Sequence, residues 1–590
     1  MNSNDRANLI KRINTLEGLT DKERSALLGL LRENKTYGLV WEDKPEDVEE
    51  RLRDELPILT EVPERAIISE DKDAPNHILI EGDNLEALAT LAYTHEGKID
   101  VIYIDPPYNT GNKDFIYNDS YVDKEDSYRH SKWLSFMSRR LKIAKKLLSD
   151  RGVIFISIDD NEQAQLKLLC DEIFRPENNL ATVVQKSRDS ISGDLLFSPN
   201  HNYLLVYALK QSVIFKDKDN FRIPSEVNEK LYKNPDNDPN GPWKLNPVDG
   251  PGGERKGNPY YTFLGITGYY RYSKEMMQKY YEEGLIVKRR NSLGKKYYLS
   301  QAKAKKGIPP TTWWEDAGKT ANGTKLLQEI VPEVSFNNPK PIELIIQCLH
   351  LRPNDVTILD FFAGSGTTLH ATMQLNAEDG GHRQCILATN NENNICEEVT
   401  YVRNKRVING YKTPKGTDIP GLTKNNLRYY RTGFVGRSRS IQNMRKLVNL
   451  ATDMLCIKEN LYTEQNTFGG QKIYKKVFRY FDDGKKQMLI IYREEAIDEL
   501  VEVIYDMDVA QPIKVYVFSP SEDPWEGSFD DVSDKVELCA LPQAIYNTYR
   551  RILPKKKDAV VMPEEDALAS TQEDKDLFDG MLNFEYDEEA

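Results

Sequence analysis

The sequence has no unbroken apolar run of about 18 residues, the least that a membrane-spanning helix needs, so no span is expected. Its first residues, Met1-Asn2-Ser3-Asn4-Asp5-Arg6, lack the apolar core of an export signal, and a cytoplasmic location is the expectation. Cysteine is scarce and scattered. Cys170, Cys348, Cys385, Cys396, Cys456 and Cys539 form no Cys-x-x-Cys pair, so reduced thiols are expected, with neither a zinc site nor a disulfide frame. A Walker phosphate loop is also missing. Gly318-Lys319-Thr320 has Trp313 where the upstream glycine would stand. There is no internal repeat.

What is present is a globular composition of 590 residues, 39% hydrophobic and 29% charged. At roughly 100–200 residues per domain, this length predicts three or four structural units. The net charge of −13 argues against nucleic acid only until its distribution is read. Residues 558–590 carry twelve acids against Lys575, a net of −11. Residues 254–306 carry thirteen Lys/Arg against four acids, a net of +9. Local positive surface sets affinity for a polyanion, so the second figure is the relevant one.

Along the chain the pattern changes several times. Residues 1–60 read as helical and charged, with Leu9, Ile10, Ile13 and Leu16, then Leu27, Leu28 and Leu31, at helical spacing. Residues 61–185 alternate strand runs (77–80, 98–104, 152–158) with helical stretches such as 133–148, which predicts a helix-covered parallel sheet. Residues 186–335 form an irregular insert rich in Tyr, Gly, Pro and Lys. The α/β pattern resumes over 336–424. Residues 425–557 read as a further α+β unit with strands at 487–492 and 513–518. The acidic 558–590 reads as a disordered tail.

Strand Val101–Ile104 runs straight into Asp105-Pro106-Pro107-Tyr108. Ligands of open parallel sheets sit beyond the carboxyl ends of strands. Two prolines stiffen the loop and remove two N–H donors, so carbonyl acceptors dominate it. Asp105 adds a carboxylate and Tyr108 a ring. This set suits an exocyclic amine: Asp105 and the Pro106 carbonyl accept its two hydrogens, its lone pair is freed, and Tyr108 stacks on the base. Such a base must be flipped out of a duplex. Positioning supplies much of the rate, and either Asp105 or water takes the departing proton.

A second strand, 356–359, ends in Asp360-Phe361-Phe362-Ala363-Gly364-Ser365-Gly366-Thr367-Thr368, followed by a helical pattern from Leu369. Glycines allow a sharp turn and a close approach to a ligand. The last glycine of a dinucleotide fingerprint is replaced by Leu369, so a cofactor without phosphates fits better. S-adenosylmethionine is one, and its amino-acid end is expected to meet Asp360 and the loop backbone.

Together the two motifs resemble the paired signature of DNA amino-methyltransferases. With the catalytic motif first, the order resembles the β class. The closest resemblance, over about residues 35–555, is to the modification (Mod) subunit of type III restriction–modification systems. Further stretches that resemble it are Tyr37–Trp41, Trp313–Asp316 and Thr389–Cys396. The resemblance implies a circularly permuted Rossmann-like fold with an inserted target-recognition domain and a C-terminal α+β domain. It implies transfer of a methyl group to adenine N6 in double-stranded DNA, a homodimer, and a helicase–nuclease (Res) partner encoded elsewhere. Phe336–Pro341 resembles the motif that holds the methionine end of the cofactor, through Phe336 and Lys340. Glu81–Leu85 resembles the motif that places Asp83 near its adenine. Relatives carry an acid after the second cofactor strand; here Asn391 and Glu392 stand there, and Asn391 is taken with the cofactor set.

In the insert, Lys288-Arg289-Arg290 is the expected phosphate contact, among Tyr260, Tyr261, Tyr269, Tyr270, Tyr272, Tyr297 and Tyr298. The alternatives are N4 of cytosine as target, a solitary methyltransferase without a restriction partner, and a silent DNA-recognition subunit. Asp rather than Ser at 105 favours adenine. C5 methylation of cytosine calls for a cysteine after proline, and none of the six follows one.

Overall fold

Buried parallel strands read as continuous apolar runs because both faces are covered, and the runs at 77–80, 98–104, 152–158 and 356–359 enter one ten-stranded sheet. The computed structural model describes residues 39–554 apart from 194, 226, 305 and 306, together with 12, 13 and 20. The helices expected at 9–31, residues Tyr37 and Gly38, and the acidic tail therefore lie outside the described residues, save for those three positions. No helix among the described residues is long and apolar enough to cross a membrane. Described residues also hold no cluster of metal-ligating side chains, and all six cysteines are free, Cys539 alone being partly exposed.

In chain order the strands are β1 (Glu55–Glu61), β2 (Asn76–Glu81), β3 (Ile99–Ile104), β4 (Leu148–Ile158), β5 (Asn179–Lys186), β6 (His201–Ala208), β7 (Trp313–Trp314), β8 (Thr357–Asp360), β9 (Gln384–Thr389) and β10 (Asn426–Gly436). In space they run β1-β10-β2-β9-β8-β3-β4-β6-β5-β7. The six from β10 to β4 are mutually parallel. β6 is antiparallel to β4 and to β5, which makes β5 parallel to the central set. The sheet thus reaches into the span expected as the insert, through β6 and β7, and into the span expected as the C-terminal unit, through β10.

Period-two alternation sorts the strand residues to two faces. Ile78, Ile80, Ile102, Ile104, Ile154 and Ile156 enter one core with α1 (Asn84–Thr94), α2 (Arg129–Leu147) and α3 (Gln163–Phe174). Leu79, Val101, Tyr103, Val153 and Phe155 enter the other, with α4 (Thr320–Ile330), α5 (Ile342–His350), α6 (Thr367–Asp379) and α7 (Tyr401–Asn409). In α2 the buried Leu134, Met137, Leu141 and Ala144 follow the helical spacing seen in the sequence.

The order of connections carries the site. From β8 the chain crosses through α6 to β9 on one side. From β3 it crosses through α2 to β4 on the other. The gap between adjacent β8 and β3 is therefore a topological switch point. In space these strands run β2-β9-β8-β3-β4, the 3-2-1-4-5 order of a Rossmann-like wind that would pass through β8, β9, β2, β3 and β4 in turn; here the chain enters it at the third of them, β2, which is a circular permutation.

Between β6 and β7 lies the insert, with a three-stranded antiparallel sheet (Trp243–Pro247, Ile286–Lys288, Leu293–Tyr298) and a hairpin (Tyr260–Phe263, Ile266–Tyr269). Its small core holds Val248, Phe263, Tyr270, Met277, Ile286 and Leu293. After β10, a four-stranded sheet of Phe478–Asp482, Gln487–Ile491, Ile513–Phe518 and Val536–Leu541 has its own core. The buried Tyr549 hydroxyl donates to the Pro57 carbonyl at 2.6 Å and ties this unit back to β1.

Candidate active site

Asp105-Pro106-Pro107-Tyr108 leaves the carboxyl end of β3, and Asp360–Thr368 leaves that of β8. The strands pair in register, Ile358 with Val101 and Leu359 with Ile102. Two motifs more than 250 residues apart thus face one another across the switch point. They share a cleft of about 1000 Å³.

The loop after β3 is fixed from behind. Trp133 Nε1 donates to the Pro107 carbonyl at 2.7 Å, so that carbonyl is engaged. Asn109, buried and at φ +58°, donates to Glu162 Oε1 at 2.6 Å and to the Arg129 carbonyl at 3.3 Å. His130 Nδ1 lies 2.7 Å from the same Glu162 oxygen. Burial drives the Glu162 carboxyl up to about 8. Burial, then Arg129, pushes the His130 imidazole below its usual range. Both shifts favour the uncharged forms, and so a neutral hydrogen bond over an ion pair.

Lys340 comes from the segment before α5 and reaches across the cleft. Its Nζ lies 2.9 Å from Asp105 Oδ1, donates to Tyr108 Oη at 2.9 Å and sits 4.8 Å from that ring's centroid. Burial, then the neighbouring Asp105, raises the Tyr108 phenol well above its usual value, so it stays protonated.

The second loop is built as a cradle. Asp360 Oδ1 accepts from the Phe362 N–H at 3.0 Å and Oδ2 from the Thr368 hydroxyl at 2.6 Å. Burial lifts the Asp360 carboxyl to about 7 despite these bonds. Gly364 has φ +48°, and a Cβ there would stand 3.2 Å from Phe336 Cζ, so a side chain would narrow the cradle. From α7 and the turn before it, Thr400 Oγ1 donates to the Gly364 carbonyl at 2.5 Å, and buried Arg403 Nη1 donates to Thr367 Oγ1 at 2.7 Å.

Of the residues singled out in the sequence, Asp83, Asp105, Pro106, Pro107, Tyr108, Phe336, Lys340, Asp360, Phe361, Phe362, Ala363, Gly364, Thr367 and Thr368 line the cleft. Gly366 and Asn391 do not. Gly366, at φ +73°, packs against the neighbouring turn, where a Cβ would stand 2.4 Å from Asn404 Nδ2 and 3.0 Å from Thr400 Cγ2. Asn391 turns its Oδ1 to the Glu397 N–H at 3.1 Å, and its neighbour Glu392 lines the cleft instead. Burial, then Asp83, raises the Glu392 carboxyl, and both acids line the cleft.

The sequence pattern gives no sign of Glu46 and Arg140. Both are buried at the Asp83 end of the cleft, joined by contacts of 2.9 Å, and Arg140 lies 3.5 Å from Asp83 Oδ1. Trp133, Glu162 and Arg403 are equally silent in the sequence, since their roles exist only through folded contacts.

The lining has a sign. Its carboxylates are Glu46, Asp47, Asp83, Asp105, Asp114, Asp119, Asp360 and Glu392; its cations are Lys113, Arg140 and Lys340. Such a wall disfavours a phosphate-bearing cofactor and favours a cationic one.

Lys288, Arg289 and Arg290 are exposed where strand Ile286–Lys288 turns back toward Leu293, closed by Arg289 N–H to the Ser292 carbonyl at 2.8 Å. They are not part of the cleft lining. Not every basic side chain of the insert is free: Lys296 is held by Asp236 at 2.6 Å and Asp238 at 2.5 Å. The tyrosines divide as well, with Tyr270 and Tyr298 buried and Tyr260 exposed.

Residues 99–401 match the profile of a family described as DNA methylase. The Mod subunit of the type III restriction-modification enzyme StyLTI from Salmonella typhimurium is 36% identical over 355 residues, 55% of this chain and 54% of that one. The EcoPI Mod subunit of Escherichia phage P1 is 30% identical over 408 residues, 57% of this chain and 62% of its own. The type II methyltransferase M.KpnI of Klebsiella pneumoniae is 32% identical over 358 residues, 54% of this chain and 82% of its own. The chain thus spans 54% and 62% of the length of the first two relatives, less than two thirds of either.

Proposed function

The chain belongs to the DNA methylase family, and on that footing we propose that it transfers a methyl group from S-adenosylmethionine to N6 of an adenine flipped out of double-stranded DNA. We assign it the part of the modification subunit of a type III restriction–modification system, a homodimer that works with a separate helicase–nuclease subunit. The observation that carries the reading is the meeting of Asp105–Tyr108 with Asp360–Thr368 in one acid-lined cleft at the switch point.

The cradle suits the cofactor: it offers acids, aromatic walls and a close-approach glycine, and no phosphate grip. Phe336, Phe362, Gly364 and Asp360 would hold it on the loop side, with Asp83 and Glu392 toward its nucleoside. Both Asp360 oxygens already accept hydrogen bonds from the loop, so Asp360 acts chiefly by shaping the cradle. When bound, S-adenosylmethionine supplies an electrophilic methyl group on a sulfonium.

The chain's own groups do the rest. Trp133 engages the Pro107 carbonyl, which leaves the Pro106 carbonyl and Asp105 to accept the two amino hydrogens of the base. Tyr108 stacks on the ring. Lys340 anchors the Tyr108 hydroxyl and the Asp105 carboxylate, so the grip on the base is set before the base arrives. Preorganisation of this kind lowers the barrier because the acceptors need no rearrangement in the transition state. Asp105 is placed to take the proton that leaves the methylated nitrogen. Lys288, Arg289 and Arg290 would contact phosphates.

The test is direct. The protein is incubated with mixed-sequence duplex DNA and methyl-labelled S-adenosylmethionine, and the DNA is digested to nucleosides. Label in N6-methyladenine supports the reading. Label in N4-methylcytosine overturns the target, and no label overturns the claim that this chain suffices for catalysis.

A further inference from the structure

One exposed apolar cluster stands apart from the elements already described. It lies in the turn 187–200 that joins β5 to β6. Ile191, Leu195, Leu196 and Phe197 are 86%, 52%, 102% and 91% exposed. Single exposed apolar side chains are ordinary, but four within seven residues are a patch, and patches of this kind mark a contact surface.

The turn is built rather than slack at its root. Ser187 N–H donates to the Asn200 carbonyl at 2.9 Å, and Arg188 Nε to the Pro199 carbonyl at 2.5 Å. Ser192 N–H donates to Ser198 Oγ at 2.9 Å. Lys186 pairs with Asp189 at 3.1 Å and with Glu315 at 3.2 Å, and Lys319 also pairs with Asp189. The apolar tip is thus held out into solvent by a bonded stem.

Its place in the fold names the partner. β5 is parallel to β3 and β4, so the turn leaves the same edge of the sheet as Asp105. The stem also leans on the active site. Gln185 Nε2 donates to the Gly318 carbonyl at 2.8 Å, and a Cβ on Gly318 would be 2.7 Å from Pro341 Cβ, next to Lys340. A duplex that delivers a base to Asp105 must pass this edge. Removing a base from the stack leaves a gap flanked by aromatic base faces, and apolar side chains inserted at a base step fill such gaps in other DNA-bending proteins.

We propose that the tip formed by Leu195, Leu196 and Phe197 enters the DNA duplex at the place the target base vacates and holds the flipped state open. The proposal rests on the base-flipping reading above. It identifies the tip as a positioning element, not part of the chemistry.

The test uses the full chain and a Leu196→Ser/Phe197→Ser double variant, with Phe197→Trp as the conservative control. Wild-type protein first modifies a mixed-sequence library, and the methylated positions give the site. A duplex carrying that site with 2-aminopurine at the target position then reports flipping. The double variant should lose most of the fluorescence rise and about tenfold in methylation rate, with binding of methyl-labelled S-adenosylmethionine unchanged. Phe197→Trp should retain both signals. Placing an abasic residue opposite the target, which weakens the target's hold in the stack, should restore the double variant to within about twofold of wild type. Equal flipping by variant and wild type, or no rescue, overturns the proposal. Loss of activity that follows a changed sedimentation mass assigns the tip to a second copy of the chain and overturns it too. If wild-type protein labels no DNA, the base-flipping reading itself falls, and the proposal with it.

Discussion

Lys340 Nζ lies 2.9 Å from Asp105 Oδ1, joining the residue that opens the loop after β3 to the segment that precedes α5. The two residues are 235 positions apart, and the ion pair spans the gap between β3 and β8. A single side chain therefore links the proposed grip on the base to the side of the cleft proposed for the cofactor. Lys340→Ala is expected to lower methyl transfer on the order of 10²-fold, because both Asp105 and Tyr108 lose their anchor. Lys340→Arg should retain part of it. Steady-state kinetics on DNA check this, and an unchanged kcat for Lys340→Ala would remove the lysine from the positioning argument.

Asp105→Ala and Asp105→Asn separate charge from shape. Asn keeps one acceptor oxygen but adds an amide that points donors at the amine. Both variants are expected to lose on the order of 10²–10³-fold in transfer rate. DNA affinity by filter binding should stay at the wild-type level, since phosphate contacts dominate it. Near-normal transfer by either variant would exclude Asp105 from the mechanism.

The two loop glycines should fail differently. At Gly364 the added bulk meets Phe336 and the cradle, so Gly364→Asp should abolish cofactor binding in calorimetry. At Gly366 a Cβ meets Asn404 and Thr400, outside the cleft. With φ at +73° besides, Gly366→Ala should cost at least about 1–2 kcal/mol of stability, seen as a lower Tm. Cofactor affinity of the folded fraction should change little. A reversed pattern would show that Gly366, not Gly364, lies against the cofactor.

How much of the site is legible in the sequence follows from what each feature depends on. Asp105–Tyr108 and Asp360–Thr368 are strand-to-turn units, so a few consecutive residues determine them and the sequence displays both. Their adjacency follows from the motif order, given its resemblance to a permuted family. Gly366 reads as a cofactor residue because a glycine's freedom is visible in sequence while its neighbours are not. Only the fold shows that Thr400 and Asn404 pack on it. For Asn391 and Glu392 likewise, only the fold shows which of them lines the cleft, the Glu397 N–H taking the asparagine oxygen. Glu46 and Arg140, 94 positions apart, carry no local pattern at all. Strand β6 reads as part of the insert because a single apolar strand looks the same in sequence whether it extends a large sheet or forms a small one.

The basic hairpin gives a salt-dependence prediction. Removing one phosphate contact reduces the slope of log K against log salt by about 0.9. The triple variant Lys288→Ala/Arg289→Ala/Arg290→Ala should bind duplex DNA with a slope shallower by about 2–3, with the methylated sequence unaltered because phosphate contacts carry no base information. Titrations at several salt concentrations and sequencing of modified DNA measure the two effects. An unchanged slope would move the phosphate contacts elsewhere on the insert.

Glu162 offers the clearest pH signature. Burial raises its folded carboxyl from an ordinary 4.5 to about 8. Between these values the folded state holds a proton that the unfolded chain has released, so folding stability falls as pH rises across that window and levels off above it. Asp360, raised to about 7, acts in the same direction, so the two must be separated. Glu162→Gln keeps the shape and cannot ionise. Its loss of stability from about pH 5 to about pH 9 should be smaller than that of the wild type, while the Asp360 contribution remains in both. The Asn109 amide donates to Glu162 in either form, and more strongly to the carboxylate, so it is the buried charge rather than loss of that bond that should strain the loop after β3, and the variant should keep more of its transfer rate at the alkaline end. Chemical denaturation and single-turnover rates across this range decide it. Parallel stability curves for wild type and variant would mean that Glu162 is already ionised at neutral pH and that His130, 2.7 Å away, carries the compensating proton.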